Sequence, residues 1–109
     1  MSLEEEIAKV TAIAHPTRYR IIAALSAESL HVSELARRLG MSRPLLYMHL
    51  QRLEEAGYLS GRLELSPEGK ALKYFEVVPF TFTIDPAAIT AAVGPLEAPD
   101  LEPKKESGK

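Results

Sequence analysis

Apolar residues recur at helical spacing from the start of the chain. The first apolar stripe consists of Leu3, Ile7, Val10 and Ala14. Ser2 and Glu5 are spaced as a capping box in front of it. The helix should end near His15, because a residue before proline avoids the helical region, and Pro16 suits the first turn of a second helix. The pattern therefore predicts a helix over residues 1–14 and another beginning at Pro16.

Two further helical segments follow on either side of a glycine. Ser33 is placed to cap the segment ELARRLG, and Gly40 suits a left-handed residue at its end. Ser42 can cap a longer helix that runs to Gly57. The inward stripe of that helix consists of Leu46, Leu50 and Leu53. Helix, tight turn and long helix form the layout of a helix-turn-helix.

After Gly57 the apolar period shortens to about two residues. The segments YLSGRLELS and ALKYFEVV predict two strands, and SPEG between them is typical of a type I turn. This hairpin, over residues 59–77, is a wing behind the helix-turn-helix. FTFTI alternates as well and predicts a strand that continues the sheet or crosses to a partner. Asp85 and Pro86 predict a cap and first turn for the short helix AAITAAV.

The predicted fold class is mainly α with a small β-hairpin, a winged helix-turn-helix. A chain of 109 residues is one small domain by default. Its predicted parts are a helix at 1–14, the winged core at 15–78, a strand and short helix at 79–93, and a disordered tail at 94–109. The tail follows from its many prolines and charges. Because so short a chain buries only about two-thirds of its unfolded surface, dimerisation would add stability.

The chain contains no cysteine. This excludes disulfides, a thiolate nucleophile and any thiolate metal site, and it fits a cytoplasmic location. No apolar run approaches the ~18 residues of a membrane span, and the acidic start MSLEEEIAKV is unlike a signal peptide. We therefore expect no membrane partner.

Charge is distributed unevenly along the chain. The formal net charge is −2, which by itself does not indicate nucleic-acid binding. Residues 15–75 nevertheless carry nine basic and six acidic side chains, giving +3, whereas the segments before and after carry −2 and −3. A mildly basic centre between acidic ends is compatible with DNA binding but weaker than the charge of strongly basic DNA-binding domains.

The fourth helix presents a second face, opposite its leucine stripe. At 100° per residue, Met48 and Gln51 point away from the stripe, Tyr47 and Leu45 flank them, and Arg43 lies at the helix start. His49 falls at the edge of the core. The first explanation is an ordinary packed helix with stray exposed apolar groups. The second is a helix that enters a DNA major groove.

On the second explanation, the periodicity selects Arg43, Pro44, Tyr47, Met48 and Gln51 as base-reading candidates. Arginine suits guanine and glutamine suits adenine, whereas proline and methionine offer only apolar contacts, for example with thymine methyls. We therefore expect a reader that relies on DNA shape, methyl contacts and a few polar contacts.

The chain resembles the ArsR-like family of winged helix-turn-helix transcriptional regulators, in particular its archaeal members. The matching stretches are AHPTRYRIIAAL (14–25), HVSELARRLGMSRPLLYMHLQRLEEAGYL (31–59) and EGKALKYFEV (68–77). The resemblance implies a homodimer built from the terminal helices, with one recognition helix per DNA half-site. It places the wing at residues 60–73 and the DNA-reading positions at Arg43, Pro44, Leu45, Tyr47 and Met48. The dimer-interface candidates are Leu3, Ile7, Val10, Ala14, Ile89 and Val93.

The chain departs from the metal-sensing members of that family. Those members carry Cys-Val-Cys at the entry to the third helix, where this chain has His31, Val32 and Ser33. A second family site uses acidic and histidine ligands on the last helix, where PAAITAAV offers none. We therefore expect no metal site and no cofactor, and the effector is unassigned. His15 replaces the family's acidic cap before proline, and we expect it to act as a cap.

The leading hypothesis is a dimeric, sequence-specific DNA-binding regulator, a repressor, whose partners are double-stranded DNA and a second copy of the chain. Helix 42–57 would enter the major groove, with the wing on the flanking backbone or minor groove. The candidate phosphate contacts are Arg18, Arg37, Arg38, Arg62, Lys70 and Lys73.

Two other classes of function compete with this hypothesis. A winged helix can also serve as a protein-interaction module without specific DNA binding, and the weak basic charge and apolar helix face would suit that role. An enzyme is not expected, because the sequence has no glycine-rich phosphate loop and no Glu/His metal motif. Glu54 and Glu55 are adjacent on a helix and point in different directions, so they do not form a catalytic pair.

Overall fold

The first helix begins at the predicted cap. The computed structural model describes residues 2–96. α1 spans Leu3–Ile13; the Ser2 hydroxyl accepts a hydrogen bond from the Glu5 N–H, and the Glu5 carboxylate accepts one from the Ser2 N–H. These reciprocal bonds form a capping box and satisfy two donors that a helix start would otherwise leave unpaired. The predicted start of α1 is confirmed.

The second helix confirms the role predicted for His15. α2 spans Pro16–Ala27, with proline in its first turn. The His15 backbone is extended, and its Nδ1 atom accepts a hydrogen bond from the Thr17 N–H at 3.1 Å. His15 is therefore the N-cap, and the imidazole supplies the acceptor that an acidic side chain would otherwise provide.

The third helix begins one residue earlier than its predicted cap. A short strand, β1, spans Leu30–His31, and α3 follows directly at Val32–Leu39. Ser33 is thus inside the helix, and the prediction that it caps α3 is wrong. The N-cap is His31, whose side chain makes no capping bond. His31 pairs with Tyr74 in the sheet, and this tertiary pairing fixes where the strand ends and the helix starts.

The turn and the fourth helix follow the predicted pattern. Gly40 has a φ of 64°, and its N–H and that of Met41 donate to carbonyls of the last turn of α3. A side chain in this left-handed conformation would be strained, which accounts for the glycine. α4 spans Arg43–Glu55, with the Ser42 hydroxyl accepting from the Leu45 N–H. The helix ends two residues before Gly57, where the sequence pattern places its end.

The wing is formed as predicted. β2 spans Leu59–Leu65 and β3 spans Ala71–Val77, paired antiparallel from Leu59 opposite Val77 to Leu65 opposite Ala71. The Gly69 N–H donates to the Ser66 carbonyl and closes the turn. β1 pairs with the other edge of β3, so the sheet order is β1-β3-β2.

The strand predicted within 79–93 is absent from the described chain. Residues 79–84 are extended but form no ladder. The Val78 N–H still donates to the Tyr58 carbonyl, and then Pro79, which has no N–H, ends the pairing. Phe80 and Phe82 instead pack their rings on Tyr58, at centroid distances of 4.7 and 6.1 Å. The alternation of FTFTI therefore reflects extended chain with one apolar side.

The chain after this segment forms α5, at Pro86–Val93, capped by the Asp85 carboxylate. Residues 97–109 of the predicted tail lie outside the described residues. None of the helices in residues 2–96 is long and apolar enough to cross a membrane. The division into a core at 15–78 with flanking segments remains a prediction.

One apolar core joins the helices to the sheet. The leucine stripe predicted on α4 is completely buried, and so are side chains from α2 and α3. Its largest fully buried members are Ile21, Leu35, Leu46, Leu50, Leu53 and Tyr58. Because the inner face of α4 is fully occupied in this core, its opposite face is fixed in orientation toward solvent.

Candidate nucleic-acid interface

The outer face of α4 is exposed, as predicted. All six base-reading candidates are exposed, and the apolar ones remain open to solvent by similar amounts: 47% for Leu45, 49% for Tyr47 and 45% for Met48. Three large apolar side chains on neighbouring outward positions are more than the occasional exposed residue expected on any surface. The geometry therefore favours a contact surface.

The polar candidates on this helix have weak partners within the chain. The Arg43 guanidinium donates to the Ser33 hydroxyl at 3.3 Å, and the Gln51 amide donates to the Glu55 carboxylate at 3.1 Å. Both contacts are exposed, so water or another partner can replace them at little cost. Arg43 is also at the N-terminal end of the helix, the end that meets base edges in helix-turn-helix proteins.

The two arginines of α3 share one carboxylate. Glu34 accepts hydrogen bonds from Arg37 and from Arg38, whose Nε lies 2.8 Å from the carboxylate; Arg38 also contacts Glu28 at 3.2 Å. The bonds from Arg37 and then from Arg38 lower the pKa of Glu34 to about 2. The cluster has little net charge to offer a phosphate until an arginine exchanges its partner.

The wing is also electrostatically balanced. Arg62 on β2 donates to Glu64 at 2.6 Å and to Glu76 on β3. These carboxylates, the Glu64 bond first, raise the pKa of the already charged Arg62 guanidinium. Within residues 2–96, Lys70 and Lys73 form no salt bridge, although the Lys73 ammonium lies 5.5 Å from the Phe75 ring centroid. The lysines are therefore the better placed phosphate candidates of the wing.

Arg18 does not belong to this surface. Its side chain is half-buried and points inward, where Nε donates to Nδ1 of His49 and Nη1 donates to the carbonyl of Ala12. We replace the phosphate role predicted from sequence with a structural one. The last carbonyls of a helix have no partner within it, and Arg18 supplies one for α1. No sequence signal points to this contact, because its partners lie 6 and 31 residues away.

The predicted dimer residues surround an open groove. α1, residues 79–84 and α5 together enclose about 730 Å³, lined chiefly by apolar side chains. Ile7 on α1 and Ile89 on α5 both line it and are 57% and 53% exposed. Leu3 and Val10 line it as well, whereas Ala14 and Val93 are exposed at the ends of their helices, outside the lining.

Metal ligands are not brought together in residues 2–96, where no three His, Asp or Glu side chains lie close enough to hold an ion. His31, the candidate left at the position of the family's cysteine pair, packs edge-on against Tyr74 with ring centroids 5.5 Å apart. It is the N-cap of α3 and a member of the sheet, which gives it a structural role.

Comparison with known proteins addresses identity. The family model described as bacterial regulatory protein, arsR family, matches residues 15–60, which span α2, α3 and α4. An uncharacterised HTH-type transcriptional regulator of Methanocaldococcus jannaschii, MJ0229, is 32% identical over 85 residues, covering 78% of this chain and 88% of the relative. The chain belongs to the ArsR family. As a member of that family, it is a transcriptional regulator with a DNA-binding winged helix.

Solved structures share the fold of this ArsR-family regulator. NolR from Sinorhizobium fredii is 26% identical, with a TM-score of 0.61 and coverage of 70% of this chain and 71% of that one. The domain of Mb0332 from Mycobacterium bovis, described as a homodimeric winged helix-turn-helix DNA-binding domain, is 23% identical with a TM-score of 0.61. That match covers 69% of this chain and 65% of the other and shows the fold alone.

Proposed function

We propose that this ArsR-family regulator binds a specific DNA sequence as a homodimer and represses transcription from it. The carrying observation is the exposed outer face of α4, with Arg43 at its N-terminal end and Leu45, Tyr47 and Met48 beside it. Its inner leucines are fully buried, so the helix is held rigidly while its outer face remains available. A helix of this kind fits the major groove of B-DNA.

The assigned base contacts combine polar and apolar readout. Arg43 would bond guanine and Gln51 adenine, after exchanging their exposed contacts with Ser33 and Glu55. Pro44, Leu45 and Met48 would pack on thymine methyls, and Tyr47 would donate to a phosphate or base edge. Few polar contacts of this kind leave part of the specificity to DNA shape and deformability.

Phosphate contacts would come from both sides of the recognition helix. Lys70 and Lys73 would contact the backbone from the wing, with Arg37, Arg38 and Arg62 contributing where DNA phosphates displace Glu34, Glu28, Glu64 or Glu76. This exchange would make binding weaker than the number of arginines suggests. It also adds specificity, because a poorly fitting duplex would not repay the loss of the ion pairs.

The groove of α1 and α5 is assigned to the dimer. Exposed aliphatic side chains from the two terminal helices line one continuous cavity, which a second copy of the same groove can fill around a two-fold axis. The fold is compatible with this arrangement, since the M. bovis domain is a homodimer. Two recognition helices would then reach half-sites roughly 34–36 Å apart, one turn of DNA.

A binding titration tests the proposed function. A labelled duplex from upstream of the regulator's own gene and a random duplex of equal length are each titrated at two salt concentrations. The regulator should prefer the upstream duplex at both concentrations and lose affinity as salt rises. Undetectable, salt-independent binding to both duplexes would contradict the proposal and would assign the exposed α4 face to a protein partner.

A further inference from the structure

Arg18 connects the first helix to the recognition helix. From α2, its Nε donates to Nδ1 of His49 on α4 at 3.0 Å, while its Nη1 donates to the carbonyl of Ala12 on α1 at 2.9 Å. One side chain therefore holds together the helix assigned to the dimer and the helix assigned to DNA. A planar guanidinium with divergent N–H groups is suited to such a link.

His49 is the acceptor in this link and is deeply buried. It is 4% exposed, and among residues 2–96 it is the buried polar side chain of the core. Because Nδ1 accepts the Arg18 hydrogen bond, the neutral imidazole must carry its proton on Nε2. The sequence pattern places His49 only at the core edge, and its interaction with Arg18 accounts for its tolerance inside.

The charges around His49 all oppose its protonation. Arg18 faces it from α2, and the His15 ring, the N-cap of α2, lies 4.9 Å away between centroids. Arg52 follows one turn later on α4 itself. Burial first, and then the charges of Arg18 and His15, lower the pKa of His49 from its ordinary value of 6.5. His49 is thus neutral at neutral pH and gains its proton only in mild acid.

Protonation would remove the link. A proton on Nδ1 takes the lone pair that Arg18 uses, so the hydrogen bond breaks and two cations face each other in a buried site. The recognition helix would then lose its connection to Arg18, and through it to the carbonyl of Ala12. The helices themselves would remain held by their leucine core.

We propose that Arg18 and His49 are positioning residues for DNA binding, and that protonation of His49 releases the recognition helix and weakens binding to the specific duplex. The inference rests on the proposed function, since it concerns binding by the same helix. It adds a pH dependence of defined sign. A histidine that merely gained charge near DNA would strengthen binding in acid, because added positive charge favours phosphate contacts.

The test compares the pH dependence of three proteins. Wild type, His49→Gln and His31→Gln are titrated with the upstream duplex at fixed salt, at about pH 7.5 and about pH 5.5. Glutamine keeps a neutral acceptor for Arg18 but cannot titrate. His31→Gln is the matched control, since it removes a histidine that does not contact Arg18.

Wild type and His31→Gln should lose roughly tenfold in affinity for the upstream duplex between the two pH values, the scale of one lost charged hydrogen bond. His49→Gln should keep its own pH 7.5 affinity at pH 5.5. Stronger or unchanged binding by wild type in acid, or an equal loss in His49→Gln, would overturn the proposal.

A DNA-free measurement separates this inference from the proposed function. Backbone and imidazole NMR signals of the wild-type protein are followed over the same pH range, which also serves if His49→Gln fails to fold. The amides following Ala12 on α1 should shift with the same midpoint as His49. An absence of duplex binding at every pH, with this coupled titration present, would reject DNA binding alone. Uncoupled α1 signals would reject the link.

Discussion

The hydroxyl of Tyr58 donates a hydrogen bond to the backbone carbonyl of Lys9, 49 residues earlier in the chain. Tyr58 follows α4 directly and is fully buried, with the Phe80 ring packed edge-on against it. The Lys9 ammonium lies 5.3 Å from the centroid of the same ring. Tyr58 thus joins three segments: α1, the end of the recognition helix and the extended segment 79–84.

Tyr58→Phe should lower the free energy of unfolding by about 1 kcal/mol, because it removes one buried hydrogen bond and keeps the ring packing. Tyr58→Ala should cost about 3–5 kcal/mol, because it also leaves a cavity. Urea unfolding followed by circular dichroism measures both. Tyr47→Phe is the control and should change stability by less than about 0.5 kcal/mol, since Tyr47 is half exposed. Equal losses for the two phenylalanine variants would contradict the assignment.

Glu34 should titrate far below an ordinary glutamate. Its pKa is lowered from 4.5 to about 2 by the hydrogen bonds from Arg37 and then Arg38. Because the folded pKa is below the unfolded one, the ion pairs contribute stability above about pH 4.5 and lose it as the pH falls toward 2. The cluster is exposed, so this contribution is small. Carboxyl carbon NMR should show the low midpoint, and Arg37→Gln should raise it; a wild-type midpoint near 4.5 would refute the pairing.

Arg43→Ala should weaken binding at one position of the DNA site. If Arg43 bonds guanine, the loss is about 1–3 kcal/mol for the preferred base pair and much smaller once that pair is changed. Lys70→Ala is the control for a phosphate contact and should weaken binding to all sequences while reducing the salt slope by about one. Competition titrations with single-base variants of the duplex measure both. A uniform loss for Arg43→Ala would make it a phosphate contact instead.

Ile7→Glu should convert the dimer into a monomer. It places a charge in the apolar groove, where a second copy would leave it desolvated and unpaired. Light scattering coupled to size exclusion gives the mass of each variant. Ala8→Glu, exposed on a different side of α1, adds the same charge and should stay dimeric. An Ile7→Glu protein that retains the dimer mass would remove α1 from the interface.

Local chemistry made most of this fold predictable. The caps Ser2, His15, Ser42 and Asp85 act within three residues of their partners, so spacing alone reveals them. The leucine stripe of α4 follows from helical periodicity, and the exposed face opposite it follows from the same geometry. The base-reading candidates were therefore accessible from sequence as a surface, although the sequence does not assign their partners.

The remaining features depend on contacts between distant residues. Ser33 is spaced as a cap, yet the pairing of His31 with Tyr74 decides where α3 begins. FTFTI alternates as a strand would, yet the chain leaves the sheet at Pro79. Arg18 has the composition of a phosphate contact, yet its partners on α1 and α4 turn it inward. In each case the local preference is real and a tertiary partner outweighs it.

Selection of duplexes from a random-sequence library tests sequence-specific binding by a dimer most directly, because the protein itself chooses its DNA site from all the sequences present. The wild-type protein should enrich an inverted repeat whose half-site centres lie roughly one turn of DNA, 34–36 Å, apart. The same selection with Arg43→Ala should lose preference at one symmetric pair of positions. A bound pool with the same sequence composition as the input library would contradict specific DNA binding by this protein.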